Sequence, residues 1–279
     1  NYQALGTSEA AAGYTGHGVL QWDNGGSLDD LPNDILGIAV RDDGMIFGAT
    51  QSALGAVNGP VLFSFDIADA SNVGTTAVNV IGEIGSGLFD NINDDISGLS
   101  FAPTTGNLYG IFQDVNGGGN ITDQMILINQ TDASIQQTWT LDDGSRTIES
   151  GGDLDFDNSG TLYISDDGDD SIWQMDFQSN GTVDSFTQIH PNTLAEPEGL
   201  VFDPVSGDLL ISDDGTFASV TLAGAETTIG TLASLNSVEA MDFHLTYPQQ
   251  APTAVNLDST DIDEESGAGT VVANLSATD

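Results

Sequence analysis

The sequence predicts an all-β protein built from one hairpin used several times over. Three observations predict it. First, residues 196–215 run Glu-Pro-Glu-Gly-Leu-Val-Phe-Asp-Pro-Val-Ser-Gly-Asp-Leu-Leu-Ile-Ser-Asp-Asp-Gly. This reads as a short apolar strand, a tight turn of Asp, Pro, Ser and Gly, and a second apolar strand. Second, the same pattern returns at residues 37–49, 98–112 and 152–168, and a fifth opening strand, Glu239-Ala-Met-Asp-Phe-His-Leu, stands near the end. Third, the anchor residues Val40, Phe101, Phe156, Phe202 and Phe243 are 61, 55, 46 and 41 positions apart. A four-stranded unit recurring at about 40–50 residues is the signature of a β-propeller blade.

The remaining strands follow from this frame. Third strands are expected at Val61–Asp66, Gln124–Asn129, Ser171–Asp176 and Phe217–Thr221, and fourth strands at Ala77–Glu83, Ile135–Leu141, Ser185–His190 and Glu226–Leu232. At the N-terminus, Tyr2–Thr7, Gly18–Asp23 and Ser27–Leu31 supply three strands of a blade whose innermost strand is Val238–Thr246. Pairing the two ends closes the ring and removes the exposed edges that β proteins otherwise protect. The count gives five blades, or six if sequence precedes Asn1. The longer early spacings fit loop insertions at Gln51–Pro60 and Asn116–Asp123.

Composition sets the functional limits. The 279 residues carry 43 acids against two arginines and no lysine, a net charge of −41. Such a surface excludes nucleic acid, whose phosphates need Lys and Arg, and opposes binding to anionic membranes. No stretch is long and apolar enough to insert in a bilayer. A chain this acidic repels itself unless cations screen it, and Ca²⁺, which takes hard oxygen ligands, is the expected cofactor. The absence of cysteine excludes disulfides, thiolate metal sites and a cysteine nucleophile. A salty extracellular or cell-surface setting is expected.

In an antiparallel hairpin the start of the first strand lies beside the end of the second. Acids at inner-strand starts (Asp34, Asp95, Glu149, Glu198, Glu239) and at second-strand ends (Asp166, Asp167, Asp213, Asp214) should therefore converge on one mouth of the ring. Carboxylates so gathered bind a cation or take up protons. The candidate metal ligands are Glu198, Glu239, Asp95, Asp166, Asp213 and Asp214; no catalytic set is assigned. The segment Asp155–Gly160 fits half of an EF-hand loop, with Asp166 at the twelfth position, but turns with Gly at the same place recur at Arg41–Gly44, Pro103–Gly106 and Pro204–Gly207. Hairpin geometry explains a recurring turn better. His17, His190 and His244 show no ligand spacing, and Trp22, Trp139 and Trp173 are expected to pack between blades.

Two resemblances add to this reading. Residues 251–279, from Ala-Pro-Thr-Ala-Val through Asp-Glu-Glu and Gly-Thr-Val-Val to Leu-Ser-Ala-Thr-Asp, resemble the opening of bacterial cadherin-like repeats. That resemblance implies a long secreted adhesin stiffened by Ca²⁺, with Glu264 or Glu265 and Asp279 at inter-domain sites. Pro197–Pro204 and the Ile-Ser-Asp-Asp-Gly strand ends resemble the superfamily of NHL-repeat proteins, the SMP-30/gluconolactonase group and phytase-like esterases. The gluconolactonase group implies a metal at the mouth, for which Glu198 matches. The expected organisation is thus a propeller over 1–247, a linker over 248–252 and a partial cadherin-like segment over 253–279. The leading functional expectation is a Ca²⁺-stabilised extracellular module of an adhesin or matrix protein, contacting a glycan, a protein ligand or neighbouring subunits. Its alternatives are a metal-dependent lactonase or esterase with Glu198, Asp213 and Asp166 around the ion, and a fibre subunit joined through an exposed Thr270–Leu275 strand.

Overall fold

The computed structural model describes residues 3–4, 15–16, 19–23, 28–30, 35–50, 59–69, 75–85, 95–113, 122–191, 194, 196–213, 215–231, 241–242, 254–257 and 275–278. The chain divides into two compact units, Asn1–Phe243 and His244–Asp279. The first is the propeller.

Four complete four-stranded blades are present among the described residues. Blade I consists of Ile35–Val40, Met45–Thr50, Val61–Asp66 and Asn79–Glu83; blade II of Asp95–Ala102, Asn107–Gln113, Gln124–Ile128 and Ile135–Thr140. Blade III consists of Gly151–Phe156, Leu162–Asp166, Ser171–Phe177 and Val183–His190; blade IV of Pro197–Phe202, Leu209–Asp213, Thr216–Val220 and Glu226–Thr231. Every strand pairs antiparallel with the next, in the order expected from the repeat.

Of the fifth blade, the described residues give only parts. Val19–Asp23 pairs antiparallel with Leu28–Asp30, as expected for third and fourth strands. Its other neighbour is Thr75–Ala77, in parallel, and Gln3–Ala4 pairs instead with Thr15–Gly16. Residues expected at the innermost position are described only at Met241 and Asp242, whose carboxylate accepts the Val40 amide of blade I. In the second unit, Ala254–Leu257 pairs antiparallel with Leu275–Thr278, so the end of the expected donor strand is paired inside its own chain. The inter-domain sites expected at Glu264, Glu265 and Asp279 lie outside the described residues, as do the 51–58 and 114–121 insertions.

Blades II and III are apolar on both faces because each is packed between two others. Phe47, Ala49 and Leu62 of blade I meet Leu99, Leu108, Phe112 and Ile126 of blade II. Tyr109, Ile111, Met125 and Trp139 of blade II meet Leu154, Phe156, Leu162 and Ile164 of blade III. Tyr163 and Ile172 of blade III meet Leu200, Leu209, Ile211 and Val220 of blade IV. Between the first two strands the chain reverses on one recurring turn. Gly44, Gly106, Gly160 and Gly207 close it with φ of 88°, 67°, 88° and 80°, values that only glycine adopts without strain. Asp157 is consumed by that turn, accepting from Ser159 N, Ser159 Oγ and Thr161 N, while Asp155 is buried and accepts from Ser100 Oγ and the Phe202 amide. This speaks against the EF-hand reading of 155–160, because its first two acids already serve protein donors.

A second glycine role concerns the approach of neighbouring inner strands. A Cβ on Gly98 would lie 2.4 Å from Asp153 Oδ1 and 2.9 Å from Asp153 Cα of the next blade. Gly98→Ala is expected to cost about 1–3 kcal/mol by overpacking, read as a lower urea midpoint with unchanged slope. Gly230→Ala, on an outer strand with open space around it and no positive φ, is the tolerated control.

Candidate functional site: an acidic pocket at one mouth of the ring

Each inner strand carries a β-bulge next to its start. The register slips between Ile35 and Gly37, Ile96 and Gly98, Gly151 and Leu154, and Pro197 and Gly199. A bulge leaves a residue out of the ladder and re-aims its side chain. The residues left out include Leu36, Ser97, Gly152 and Glu198, and these four line one pocket. Asp95, Gln113, Ser150 and Asp167 complete its described wall, around a volume of about 230 Å³. Asp95 begins the inner strand of blade II and pairs in register with Gln113, which ends the second strand. The hairpin logic that places strand starts and strand ends at one mouth is thus realised.

The wall is fixed around Gly151. Its carbonyl accepts from Ser97 Oγ at 2.5 Å and Gln113 Nε2 at 2.6 Å, and its N–H donates to Asp123 Oδ2 at 2.7 Å. Blade II and the start of blade III are thereby locked together at the rim. Gly152 stands so close to blade IV that a Cβ would lie 2.7 Å from the Pro197 carbonyl oxygen. Three carboxylates face the pocket: buried Asp95, and half-buried Glu198 and Asp167. Burial, with the charge of Asp170 beside it, pushes the Asp167 carboxyl above its ordinary value.

The other expected ligands are placed differently. Asp166, almost fully buried, bonds Arg146, which also reaches Asp169 at 2.6 Å and lies 4.6 Å over the Trp173 ring. Burial first, and Asp169 second, raise the Asp166 carboxyl to about 6 against the pull of Arg146. The backbone of Asp213 pairs with Pro197 and Thr216 at the same mouth; its side chain, Asp214, Glu239 and Asp34 lie outside the described residues. Glu149 is exposed. Among the described residues no three His, Cys, Asp or Glu side chains stand grouped as a ready-made metal cage. His190 is buried, with Nδ1 3.1 Å from the Gly224 carbonyl oxygen and Nε2 3.5 Å from Glu226, in a structural position; His17 and His244 lie outside the described residues. Sequence reasoning missed Leu36, Ser97 and Gly152. The available signal was the glycine that follows the bulge as Gly37, Gly98 and Gly199.

No family model matches the sequence, and no curated protein matches it. Solved structures do match the fold. The chain is similar to a gluconolactonase from Xanthomonas campestris, with a TM-score of 0.52 and 14% identity over 79% of this chain and 71% of that one. It is similar to the calcium-binding protein regucalcin from Agrobacterium tumefaciens, with a TM-score of 0.50 and 13% identity over 78% and 67%. A luciferin-regenerating enzyme matches at 13% identity and a TM-score of 0.49, and this chain spans 65% of its length. Among the described residues no helix is long and apolar enough to cross a membrane. These neighbours correct the leading expectation of an adhesin module. These two solved structures are named as a gluconolactonase and as calcium-binding regucalcin, and neither supports the cadherin-like part. The chain has a β-propeller fold similar to that of this gluconolactonase and this regucalcin.

Proposed function

We propose that this propeller is a hydrolase of small cyclic esters, working in the acidic mouth pocket with a divalent cation. The observation that carries the reading is the bulge row, which turns one inner-strand residue after another into a single pocket beside Asp95, Asp167 and Glu198. The volume suits a molecule no larger than a monosaccharide. Leu36 offers one apolar wall, and Ser97, Gln113 and Ser150 offer neutral hydrogen-bonding groups.

The donor chemistry fits a hard cation, because carboxylate and amide oxygens are what Ca²⁺ and Mg²⁺ take. The fit is one of donor type, since the described carboxylates form no preassembled cage. Asp95 and Glu198 would hold the ion, one from each of two inner strands. A divalent cation there supplies a Lewis acid for an ester carbonyl. Asp167, holding its proton to higher pH than an ordinary carboxyl, is placed to exchange a proton with the ligand. The ionisable side chains of the described wall are all acids, which disfavours the carboxylate that ring opening produces and favours its release. A net charge of −41 supports, in this reading, a setting where salt is plentiful.

The test is calorimetric titration of metal-stripped protein with Ca²⁺, then Mg²⁺, beside a pH-stat assay on an aldonolactone. Binding at the pocket is expected to weaken at least tenfold in Glu198→Gln, and lactone opening to be lost with it. Equal binding in Glu198→Gln and the parent would show that the cation sits elsewhere. Tight binding without turnover would leave a cation-binding propeller and remove the hydrolase.

A further inference from the structure

The mouth pocket leaves unused a second set of acids, buried where the inner strands converge. An inner strand has a free edge toward the ring axis, and its buried N–H groups need acceptors. In this chain aspartates of neighbouring blades supply them. Asp153 Oδ2 accepts the Leu200 amide at 3.0 Å, and the same carboxylate takes the Met241 amide. Asp155 Oδ2 accepts the Phe202 amide at 2.7 Å, and its Oδ1 accepts from Ser100 Oγ at 2.5 Å. Asp242 Oδ2 accepts the Val40 amide. Asp155 and Asp242 precede the equivalent anchors Phe156 and Phe243, and their donors Phe202 and Val40 are equivalent anchors of the following blades. One bond type therefore joins blade III to IV and the last inner segment to blade I. Ser100 links blade II to III, and Asp153 reaches from III to both IV and the last segment.

We infer that Asp153 and Asp155 form a proton-dependent latch, in which their carboxyl groups clamp the inner strands around the axis, Asp242 ties the last segment to blade I, and loss of the Asp153 and Asp155 protons loosens the ring. Asp153 and Asp155 are 1% and 7% exposed and stand two residues apart on one strand. Their own hairpin adds the charge of Asp157, blade II offers Ser100, and blade IV offers only backbone at Leu200 and Phe202. The last segment adds Asp242. From blade I the nearest cation is Arg41, which follows Val40 but is turned to Asp43 and Gln130. Among the described residues no Lys or Arg side chain acts on the pair. Burial pushes Asp153 well up and Asp155 to about 6, against hydrogen bonds that favour the anion. An acid whose folded value is raised binds its proton more tightly in the folded state, so stability is gained as pH falls and lost as pH rises.

The experiment is the pH dependence of urea unfolding between pH 4 and 8, in 1 M NaCl to screen the acidic surface. The parent is expected to gain about tenfold in its folding equilibrium per pH unit from about 6 down to 4 for the Asp155 proton alone. Asp155→Asn and Asp153→Asn should each flatten that slope. An unchanged slope in both would overturn the latch. If the variants do not fold, hydrogen exchange on the parent decides. After correction for intrinsic rates, protection of the Val40, Leu200 and Phe202 amides should fall from pH 5.5 to 8 more than that of Ile164, whose amide serves an ordinary ladder. An equal change at all four would also overturn it. Asp242→Ala, which removes the acceptor, should loosen Val40 and spare Phe202; no change at Val40 would remove the ring-closing part.

Discussion

Arg146→Met is expected to destabilise the protein by about 3 kcal/mol at pH 7.5 and by markedly less at pH 5.5. Arg146 is one of two basic side chains in the chain. It holds two acids at once: Asp166, whose side chain is 2% exposed, and Asp169, which is 30% exposed. Removing one partner of a buried pair costs about 3–5 kcal/mol, because the remaining charge is left in a poor solvent. The lower end applies here, since Arg146 itself is 28% exposed. The lost stacking on Trp173 adds about 0.5–1 kcal/mol within that total. The pH dependence follows from Asp166. Its folded value is raised to about 6 from 3.8, so the folded state already takes up this proton more readily than the unfolded chain. Without the guanidinium, that preference grows. Falling pH therefore restores stability to the variant faster than to the parent, through the window between about 4 and 7. Urea unfolding followed by the fluorescence of Trp173 and its companions measures both pH values. Equal losses at the two would mean that Arg146 works by packing alone. Arg146→Lys keeps the charge but not the planar guanidinium that lies over Trp173, and should fall between the parent and Arg146→Met.

The hairpins were legible because a strand's period of two, an Asp-Pro or Asp-Asp turn and a closing glycine are all local features. Phe101, Phe156 and Phe202 marked the inner strands, and the third and fourth strands followed at nearly the expected bounds. The mouth was legible in part. Asp95 and Glu198 were found because strand starts and strand ends must meet. Ser97 and Leu36 were not, because a bulge is a slip of one residue in pairing, and pairing is a property of two strands. Asp153 and Asp155 were misleading for a different reason. In Gly-Asp-Leu-Asp-Phe-Asp the acids alternate with apolar residues, as on a solvated face. They face the ring axis instead, where buried edge amides make a carboxylate useful. Asp166 was expected at the mouth ion, and only the fold shows that Arg146, 20 residues earlier, takes it. The parallel pairing of Val19–Asp23 with Thr75–Ala77 likewise leaves no local mark.

Trp139→Ala should be the most damaging single truncation, costing about 3–5 kcal/mol. Trp139 ends the outer strand of blade II, is 2% exposed, and packs at the seam with blade III. Its ring centroid lies 5.8 Å from Tyr109 and 5.5 Å from Phe177, and Tyr109 in turn lies 5.3 Å from Phe156. One side chain thus joins the aromatic groups of two blades, and its Nε1–H donates to the Gln178 carbonyl at 2.6 Å. Alanine would leave a cavity that neighbouring strands, fixed by their ladders, cannot close. It would also remove one of two donors to the Gln178 carbonyl, which keeps the Gly181 amide. Trp139→Phe separates these contributions: most of the packing stays and the bond is lost, so about 1–2 kcal/mol is expected. The seam also makes a prediction about coupling. Tyr109→Ala and Trp139→Ala remove the same contact from opposite sides, so the double variant should lose less than the sum of the singles. Additive losses in urea unfolding would mean that the two rings stabilise their own blades separately, and that the ring is held by its axis rather than by its seams.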